Sequence, residues 1–193
     1  GVVILAGGKS ERMDFPKIYL EMNGQTFLKR IAEEYALCGI KNICLVINED
    51  YCTGKWKDAF EGVKPFVSVV EKIQSEQGRF HSVKIGIKNL LNCDFIFLQN
   101  ADNPFVNKKL LAQLLEHKYS YGYTQPFYYG RKGHPVLVSK KIITKIDVLN
   151  NGEYDLRNIL AEFPRTDVEV DDKRILANIN TKKDYEEYIF AGL

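Results

Sequence analysis

The stretch VVILAGGKSERMDFPK, residues 2–17, decides how the rest of the chain is interpreted. Its first five residues, 2–6, are apolar and rich in β-branched side chains, which predicts a buried strand. Gly7-Gly8 follows at once, and paired glycines let backbone N–H groups approach an anion closely. Arg12 adds a planar fork for phosphate oxygens, and Lys17 adds a point charge. On the paired glycines alone, a tight strand–helix turn with solvated charges is the alternative.

Beyond this stretch, strand-like and helix-like patterns alternate. Apolar or β-branched runs predict further strands at residues 43–47, 66–70, 95–98 and 166–170. Helical spacing predicts helices around residues 28–35, 80–91 and 110–115, and a capping box at 181–184 predicts the start of the last one. This alternation is typical of a mainly parallel sheet with helices on both faces. We therefore predict one Rossmann-like α/β domain over residues 1–193, with ligands bound at the carboxyl ends of its strands.

Composition narrows the class of function. The formal net charge is +2 over 193 residues, and no apolar run approaches the roughly 20 residues of a membrane span. We therefore expect neither nucleic acid nor a membrane as a partner. No secretory signal pattern is present, and the four cysteines form no Cys-x-x-Cys pair. We expect a cytoplasmic protein with reduced thiols.

Two familiar phosphate-binding loops do not fit the glycine-rich stretch. The dinucleotide pattern G-x-G-x-x-G needs a further glycine after Gly8 at a fixed spacing, and none is there. Gly8-Lys9-Ser10 imitates the end of a Walker A loop, but that motif needs a glycine where this chain has Val3. The mismatches argue against a P-loop kinase.

A carboxylate follows the strand predicted at residues 95–98. Asp102 stands just beyond that strand and before a proline turn, which suits Mg²⁺, because this ion prefers one or two protein oxygens plus substrate phosphates. An Asx-type turn, in which Asp102 caps the helix that begins near Asn107, is the alternative.

Two further segments carry groups that suit anionic ligands. Gly78 permits a turn, and Arg79 and Ser82 lie on the first exposed turn of the helix that follows, where N–H groups and side chains reach a ligand. Residues 130–137 hold two cations, two glycines and His134, which suit either an anionic acceptor or an ordinary basic loop. Nearby aromatic residues either stack on a planar ring or form a half-buried strand with its loop; they are Tyr119, Tyr121, Tyr123, Phe127, Tyr128 and Tyr129.

The string Leu-Ala-Gly-Gly-x-Ser-x-Arg-Met followed by lysine, at residues 5–17, resembles the signature of the NTP-transferase family that includes the molybdenum-cofactor guanylyl- and cytidylyltransferases. Asp-x-Pro at 102–104, Gly-x-x-x-Ser-Val-x-x-Gly at 78–86 and Gly-His-Pro-Val-Leu at 133–137 are similar to further motifs of that family. The resemblance covers nearly the whole chain and implies a nucleotide-diphospho-sugar transferase-like fold. It is looser at 152–157, where Glu153 and Asp155 stand in place of the Asp and Gly of the molybdopterin cytidylyltransferase branch, which leaves the acceptor open.

The resemblance also implies a set of site residues. Arg12, Lys17 and Asp102 would be catalytic, and Mg²⁺ would be held by Asp102 and by Asn180, at a place that an Asp or an Asn occupies in the family. A neutral Asn is the weaker ligand, so hydrogen bonding of Asn180 to metal-bound water or phosphate is a second possible role. Asn180 as part of a helix start only is the alternative. The predicted nucleotide contacts are Leu5, Ala6, Gly7, Gly8, Gly78, Arg79 and Ser82, and the predicted acceptor contacts are His134 and Arg157.

Together these features predict a Mg²⁺-dependent nucleotidyltransferase. It would move a nucleotide from an NTP, with CTP favoured over GTP, to a phosphorylated small molecule such as molybdopterin, and release pyrophosphate. A molybdoenzyme or its chaperone is the protein partner that the resemblance implies. A sugar-phosphate or alcohol-phosphate nucleotidyltransferase and a non-catalytic nucleotide-binding domain are the alternatives.

Overall fold

The structure, a computed structural model, describes residues 1–10, 12–13, 15–74, 78–150, 152 and 154–189. Its strands are β1 Val2–Ala6, β2 Glu21–Met22, β3 Gln25–Thr26, β4 Ile43–Asn48, β5 Val69–Ile73, β6 Phe95–Asn100, β7 Tyr123–Tyr128, β8 Arg131–Lys132, β9 Val136–Ser139 and β10 Arg165–Glu169. Its α-helices are α1 Phe27–Leu37, α2 Lys57–Glu61, α3 Gly78–Lys88, α4 Lys108–Glu116, α5 Lys140–Val148, α6 Leu156–Ala161 and α7 Lys182–Ile189. Short 3₁₀ turns lie at Lys17–Tyr19, Glu49–Tyr51, Gly54–Trp56, Lys64–Phe66 and Lys173–Leu176.

The main sheet runs in the order β10-β7-β9-β6-β1-β4-β5, with β8 paired to β7. At its centre, β1 is parallel to both neighbours, so that Val2 lies opposite Ile43 of β4 and Phe97 of β6. Among the strands that the structure describes in this sheet, only β8 and β9 run antiparallel to their neighbours. The prediction of a mainly parallel α/β sheet is confirmed.

The side chains of β1 alternate between the two faces of the sheet, and helices cover both faces. Val2 and Ile4 belong to a core cluster that includes buried residues of α1 and α4. Val3 points the other way, into a cluster that includes residues of α3 and α5. A strand with apolar residues at every position is what a doubly covered parallel sheet requires.

One predicted strand is wrong in its position. The apolar run at 66–70 predicts a strand there, but Lys64–Phe66 forms a 3₁₀ turn with a proline in it, and β5 extends over Val69–Ile73 instead. Because β5 is an edge strand bonded only to β4, it accepts the polar pair Glu71-Lys72 that the apolar pattern excluded. The other predicted strands lie within two residues of their observed bounds.

Gly86 lets α3 pack unusually close to the sheet. A Cβ atom on this residue would lie 2.3 Å from Val3 Cγ1 and 3.1 Å from Val46 Cγ2. This close packing places the first turn of α3 beside the glycine-rich loop. A Cβ atom on Gly7 of that loop would lie 3.2 Å from Ser82 Oγ.

The capping box predicted at the last helix is present. Asp184 N donates to Thr181 Oγ1 over 3.2 Å, and Thr181 N donates back to Asp184 Oδ2 over 2.8 Å. The helix that follows, α7, packs Tyr185 and Tyr188 against a small cluster of its own. Of the helices in the described residues, none combines the length and the hydropathy that a membrane span requires.

Candidate active site

A cavity of about 220 Å³ opens where the sheet reverses its strand order. After β1 the chain moves to β4 on one side, whereas β6 lies on the other side of β1, so the loops that follow β1 and β6 diverge. Parallel sheets bind ligands at such a point. The cavity is lined by Leu5, Ala6, Gly7, Gly8, Ser10, Lys17, Ile18, Gly78, Arg79, Ser82, Asn100, Ala101 and Asp102.

Most of the predicted site residues meet at this cavity. All the predicted nucleotide contacts line it, together with Lys17 and Asp102. Arg12, Asn180, His134 and Arg157 are not part of the lining. Arg12 is exposed, but its charge acts on Lys17 and Asp102, so it lies beside the cavity.

The glycine-rich loop is held by hydrogen bonds from its own backbone and from one tyrosine. Ser10, at φ 56°, accepts from Met13 N through its carbonyl and from Lys17 N through Oγ at 3.0 Å. Tyr51 OH donates to Lys9 O over 2.5 Å. Apart from its chain neighbours, no described residue lies within 4 Å of a Cβ placed on Gly8, which leaves space for a ligand above this backbone. Glu11 and Asp14 lie outside the described residues.

Lys17 links the cavity to the segment that precedes α7. Its Nζ donates to Asn180 Oδ1 over 2.8 Å, although 163 residues separate the two in sequence. Burial lowers the pKa of Lys17, the nearby Asp102 carboxylate opposes that shift, and Arg12 adds to it. Asn180 also takes part in the start of α7, because its N–H donates to Asp184 Oδ2.

Asp102 presents an unpaired oxygen. Its Oδ1 is buried and has no hydrogen-bond partner among the described residues. Burial raises the pKa of Asp102 above its usual value, against the opposing charges of Lys17, Arg79 and Arg12. The alternative role as a helix cap is wrong, because Asn107 caps α4 by accepting from Leu110 N at 3.0 Å.

A chain of polar contacts extends from the cavity to His134. Arg79 Nη2 donates to Asn100 Oδ1 over 2.9 Å, and Asn100 Nδ2 lies 3.3 Å from His134 Nε2. Because Asn100 Nδ2 is a donor, His134 Nε2 must accept, and the proton of the neutral ring is on Nδ1. Burial and, to a smaller extent, the Arg79 charge lower the pKa of His134 to about 4, so the ring is neutral at pH 7.

Arg157 does not reach the cavity. Its side chain is 89% exposed and pairs with Asp155 at the start of α6, with Nε 3.3 Å from Oδ2. The neighbouring Tyr154 packs on Phe80 of α3, with ring centroids 5.1 Å apart, so this segment contacts the first turn of α3. Glu153, part of the predicted acceptor motif, lies outside the described residues.

The predicted aromatic cluster divides between a strand and its flanks. Tyr123, Phe127 and Tyr128 belong to β7, as the strand alternative has it. Tyr119, Tyr121 and Tyr129 are exposed.

Sequence reasoning missed four residues that line the cavity: Ser10, Ile18, Asn100 and Ala101. Asn100 could have been predicted, because it is a polar residue at the end of an apolar strand and close to Asp102, at the edge of the sheet where ligands bind. Within the described part of the chain, no three His, Cys, Asp or Glu side chains form a metal cluster.

Residues 2–168 match the family model of the MobA-like NTP transferase domain. The chain belongs to this family. A probable molybdenum cofactor guanylyltransferase of Clostridium perfringens is 28% identical over 96% of this chain and 94% of its own length. A 2-C-methyl-D-erythritol 4-phosphate cytidylyltransferase of Thermosipho africanus is 31% identical over 63% of this chain; the match spans 55% of that protein, about half its length.

Solved structures of the Mycobacterium tuberculosis H37Rv protein Rv0371c share the fold of this chain. One superposes with a TM-score of 0.78 at 21% identity over 98% of this chain and 97% of that one. Another, a complex with manganese, superposes with a TM-score of 0.74 at 17% identity over the same shares.

Proposed function

We propose that this chain transfers a nucleotide from an NTP to a phosphorylated small-molecule acceptor and releases pyrophosphate. The observation that carries the proposal is the convergence of Lys17, Arg79 and Asp102 on one cavity beside the Gly7-Gly8 backbone. Cations and free N–H groups bind phosphates, and a carboxylate with an unpaired oxygen binds the cation that accompanies them. Family membership agrees with this chemistry.

In this reaction an oxygen of the acceptor phosphate attacks the α-phosphorus of the NTP, and the bond from that phosphorus to the bridging oxygen of the leaving pyrophosphate breaks. A phosphate monoester has a second pKa of roughly 6, so the attacking oxygen is already ionised and needs no general base. Lys17, Arg12 and the Gly7-Gly8 amides stabilise the charge that develops on the pyrophosphate. Catalysis then rests on positioning and charge neutralisation.

Mg²⁺ fits the residues present. Asp102 Oδ1 is a buried carboxylate oxygen without a partner among the described residues, which is a costly arrangement unless a cation compensates it. We assign Asp102 as the ligand and Asn180 as the residue that orients metal-bound water or phosphate; Lys17 bonds Asn180, and its charge acts on Asp102. The bound cation would neutralise phosphate oxygens. The manganese complex of the related fold supports a divalent ion here.

Molybdopterin is the acceptor that we propose, with CTP as the donor. The relative that matches along nearly its whole length belongs to molybdenum-cofactor chemistry, which supports the acceptor. That relative is named a guanylyltransferase, whereas the Thermosipho africanus relative, which matches over part of its length, is named a cytidylyltransferase. The names of the relatives therefore do not agree on whether the donor is GTP or CTP. Ala6-Gly7-Gly8 resembles the guanylyltransferase form, whereas the Gly-His-Pro-Val-Leu string at 133–137 resembles the molybdopterin cytidylyltransferase branch. We retain CTP because the second motif is the longer of the two.

One assay tests the proposal. Pyrophosphate release is measured with each of the four NTPs, Mg²⁺ and either molybdopterin, a sugar phosphate or methylerythritol phosphate. We expect turnover with CTP and molybdopterin. Turnover with GTP overturns the base assignment alone, and turnover with another acceptor overturns the acceptor. Nucleotide-dependent thermal stabilisation without pyrophosphate release from any acceptor indicates a non-catalytic binding domain.

A further inference from the structure

Asn103, next to Asp102, is a buried side chain with an unusually complete set of partners. It is 2% exposed. Its Nδ2 lies within hydrogen-bond distance of three carbonyl oxygens, those of Arg174 at 3.2 Å, Ile175 at 3.0 Å and Ala177 at 3.0 Å. Its Oδ1 accepts from Phe105 N at 3.1 Å. A single amide therefore ties the loop after β6 to a segment more than 70 residues away.

The buried side-chain amide of Gln99 also holds the loop after β6 in place. Gln99 Nε2 donates to Asn100 O over 2.7 Å and to Asn103 O over 2.9 Å. Gln99 Oε1 accepts from Tyr35 OH of α1 at 2.9 Å. Both side chains are buried, and a satisfied buried network of this kind specifies one loop conformation, since any other leaves polar groups unpaired.

The segment that Asn103 binds leads directly to Asn180. Three residues after Ala177, Asn180 accepts from Lys17. Between them, Ile179 N donates to Asp102 O over 2.9 Å, so a backbone hydrogen bond also joins the two segments directly. The position of Asn180 relative to Asp102 is thus set by the contacts made at Asn103 together with the Ile179–Asp102 bond.

We propose that Asn103 is a positioning residue that sets the spacing between Asp102 and Asn180, and through it the affinity for the divalent cation. This inference rests on the proposed function, because it assumes that those two residues form the metal side of the site. Residues that orient metal ligands typically contribute about 10–100-fold to metal affinity.

The test compares two asparagines of one loop. Asn103→Ala removes the tie between the segments. Asn107→Ala is the matched control, because its side chain caps α4 at Leu110 N in the same loop, whereas Asn103 binds the carbonyls at 174–177. Mn²⁺ binding is titrated by electron paramagnetic resonance in the presence of CTP and GTP separately, well below both melting temperatures.

We expect Asn103→Ala to weaken nucleotide-dependent Mn²⁺ binding by at least about tenfold, and Asn107→Ala to leave it within about twofold. Combined with Asn180→Ala, the effect of Asn103→Ala should largely disappear, since both act on the same spacing. Should Asn103→Ala fail to fold, Asn103→Ser, which keeps one donor, replaces it with a smaller loss expected.

Two other outcomes are informative in different ways. Equal Mn²⁺ binding by the Asn103 and Asn107 variants overturns the positioning role and leaves the proposed function standing. A parent protein without nucleotide-dependent Mn²⁺ binding overturns the metal site itself and this inference with it.

Discussion

The loop after β1 and the loop after β6 face each other across the cavity, but they are built in opposite ways. The loop after β1 exposes Gly8, Lys9 and Arg12 and is held mainly by bonds to backbone atoms and by Tyr51 OH. The loop after β6 is fixed by the buried amides of Gln99 and Asn103. The exposed side offers N–H groups and cations to a polyphosphate, whereas the buried side holds one carboxylate in place before any ligand arrives.

Lys17→Ala should produce the largest effect, because Lys17 lines the cavity, bonds Asn180 and carries a charge that acts on Asp102. We expect turnover to fall by about 10²–10³-fold, the scale for removing one transition-state contact, with the fold intact. Steady-state pyrophosphate release and a melting curve measure this. Lys88→Ala, an exposed lysine at the end of α3, is the control. Normal turnover in Lys17→Ala would remove this residue from the mechanism.

His134, whose ring lies 3.3 Å from Asn100 at the end of β6, should control stability in acid. The pKa of His134 is lowered from 6.5 to about 4, so the unfolded chain binds a proton that the folded chain does not bind between these values. Stability should therefore fall as the pH drops from 6.5 towards 4, with up to roughly 3 kcal/mol from this residue.

Urea unfolding of the parent and of His134→Gln over that range measures this contribution. The variant should show a flatter pH profile, whereas the exposed His117→Gln should keep that of the parent. Parallel profiles for all three proteins would show that the His134 ring does not titrate as its burial predicts.

Asp102→Asn should separate function from stability on the buried side. The pKa of Asp102 is raised by burial, so its stabilising contribution is present below the unfolded pKa of about 3.8 and is lost as the pH rises through the folded pKa. At neutral pH, without metal, the variant should melt at a higher temperature than the parent, and the gain should vanish in acid.

The same variant should lose most of the effect of Mg²⁺ on NTP binding, which calorimetric titration with and without Mg²⁺ measures. The melting temperatures of the parent and the variant in excess chelator measure the predicted difference in stability. An unchanged Mg²⁺ effect would place the cation elsewhere.

Tyr51→Phe should give the smallest effect and tests the exposed side. It removes the hydroxyl that donates to Lys9 O and keeps the ring. A neutral hydrogen bond contributes about 0.5–1.5 kcal/mol, so NTP affinity should fall roughly three- to tenfold with little change in melting temperature. Tyr121→Phe, on an exposed ring, is the control. A large loss of stability instead would show that the exposed loop is as tightly built as the buried one.

Much of this molecule could be predicted from local pattern. The continuous apolar run at residues 2–6 and the glycines after it gave the central strand and its loop, because burial on both faces and close backbone approach each demand particular residue types. Residue 102 was located because it follows an apolar strand directly. Strand β5 was misplaced, since its edge position, which permits polar residues, depends on the whole strand order.

Local sequence patterns were therefore enough to predict the fold class and the loops that meet at the carboxyl edge of the sheet. How distant side chains are joined there depends on the packed structure, which bonds Lys17 to Asn180, Asn103 to the segment at 174–177, and Arg79 through Asn100 to His134. It also left Arg157 in solvent, paired with Asp155. Strand and helix patterns arise from neighbours along the chain, whereas a hydrogen bond between groups on different elements depends on how the packed elements align.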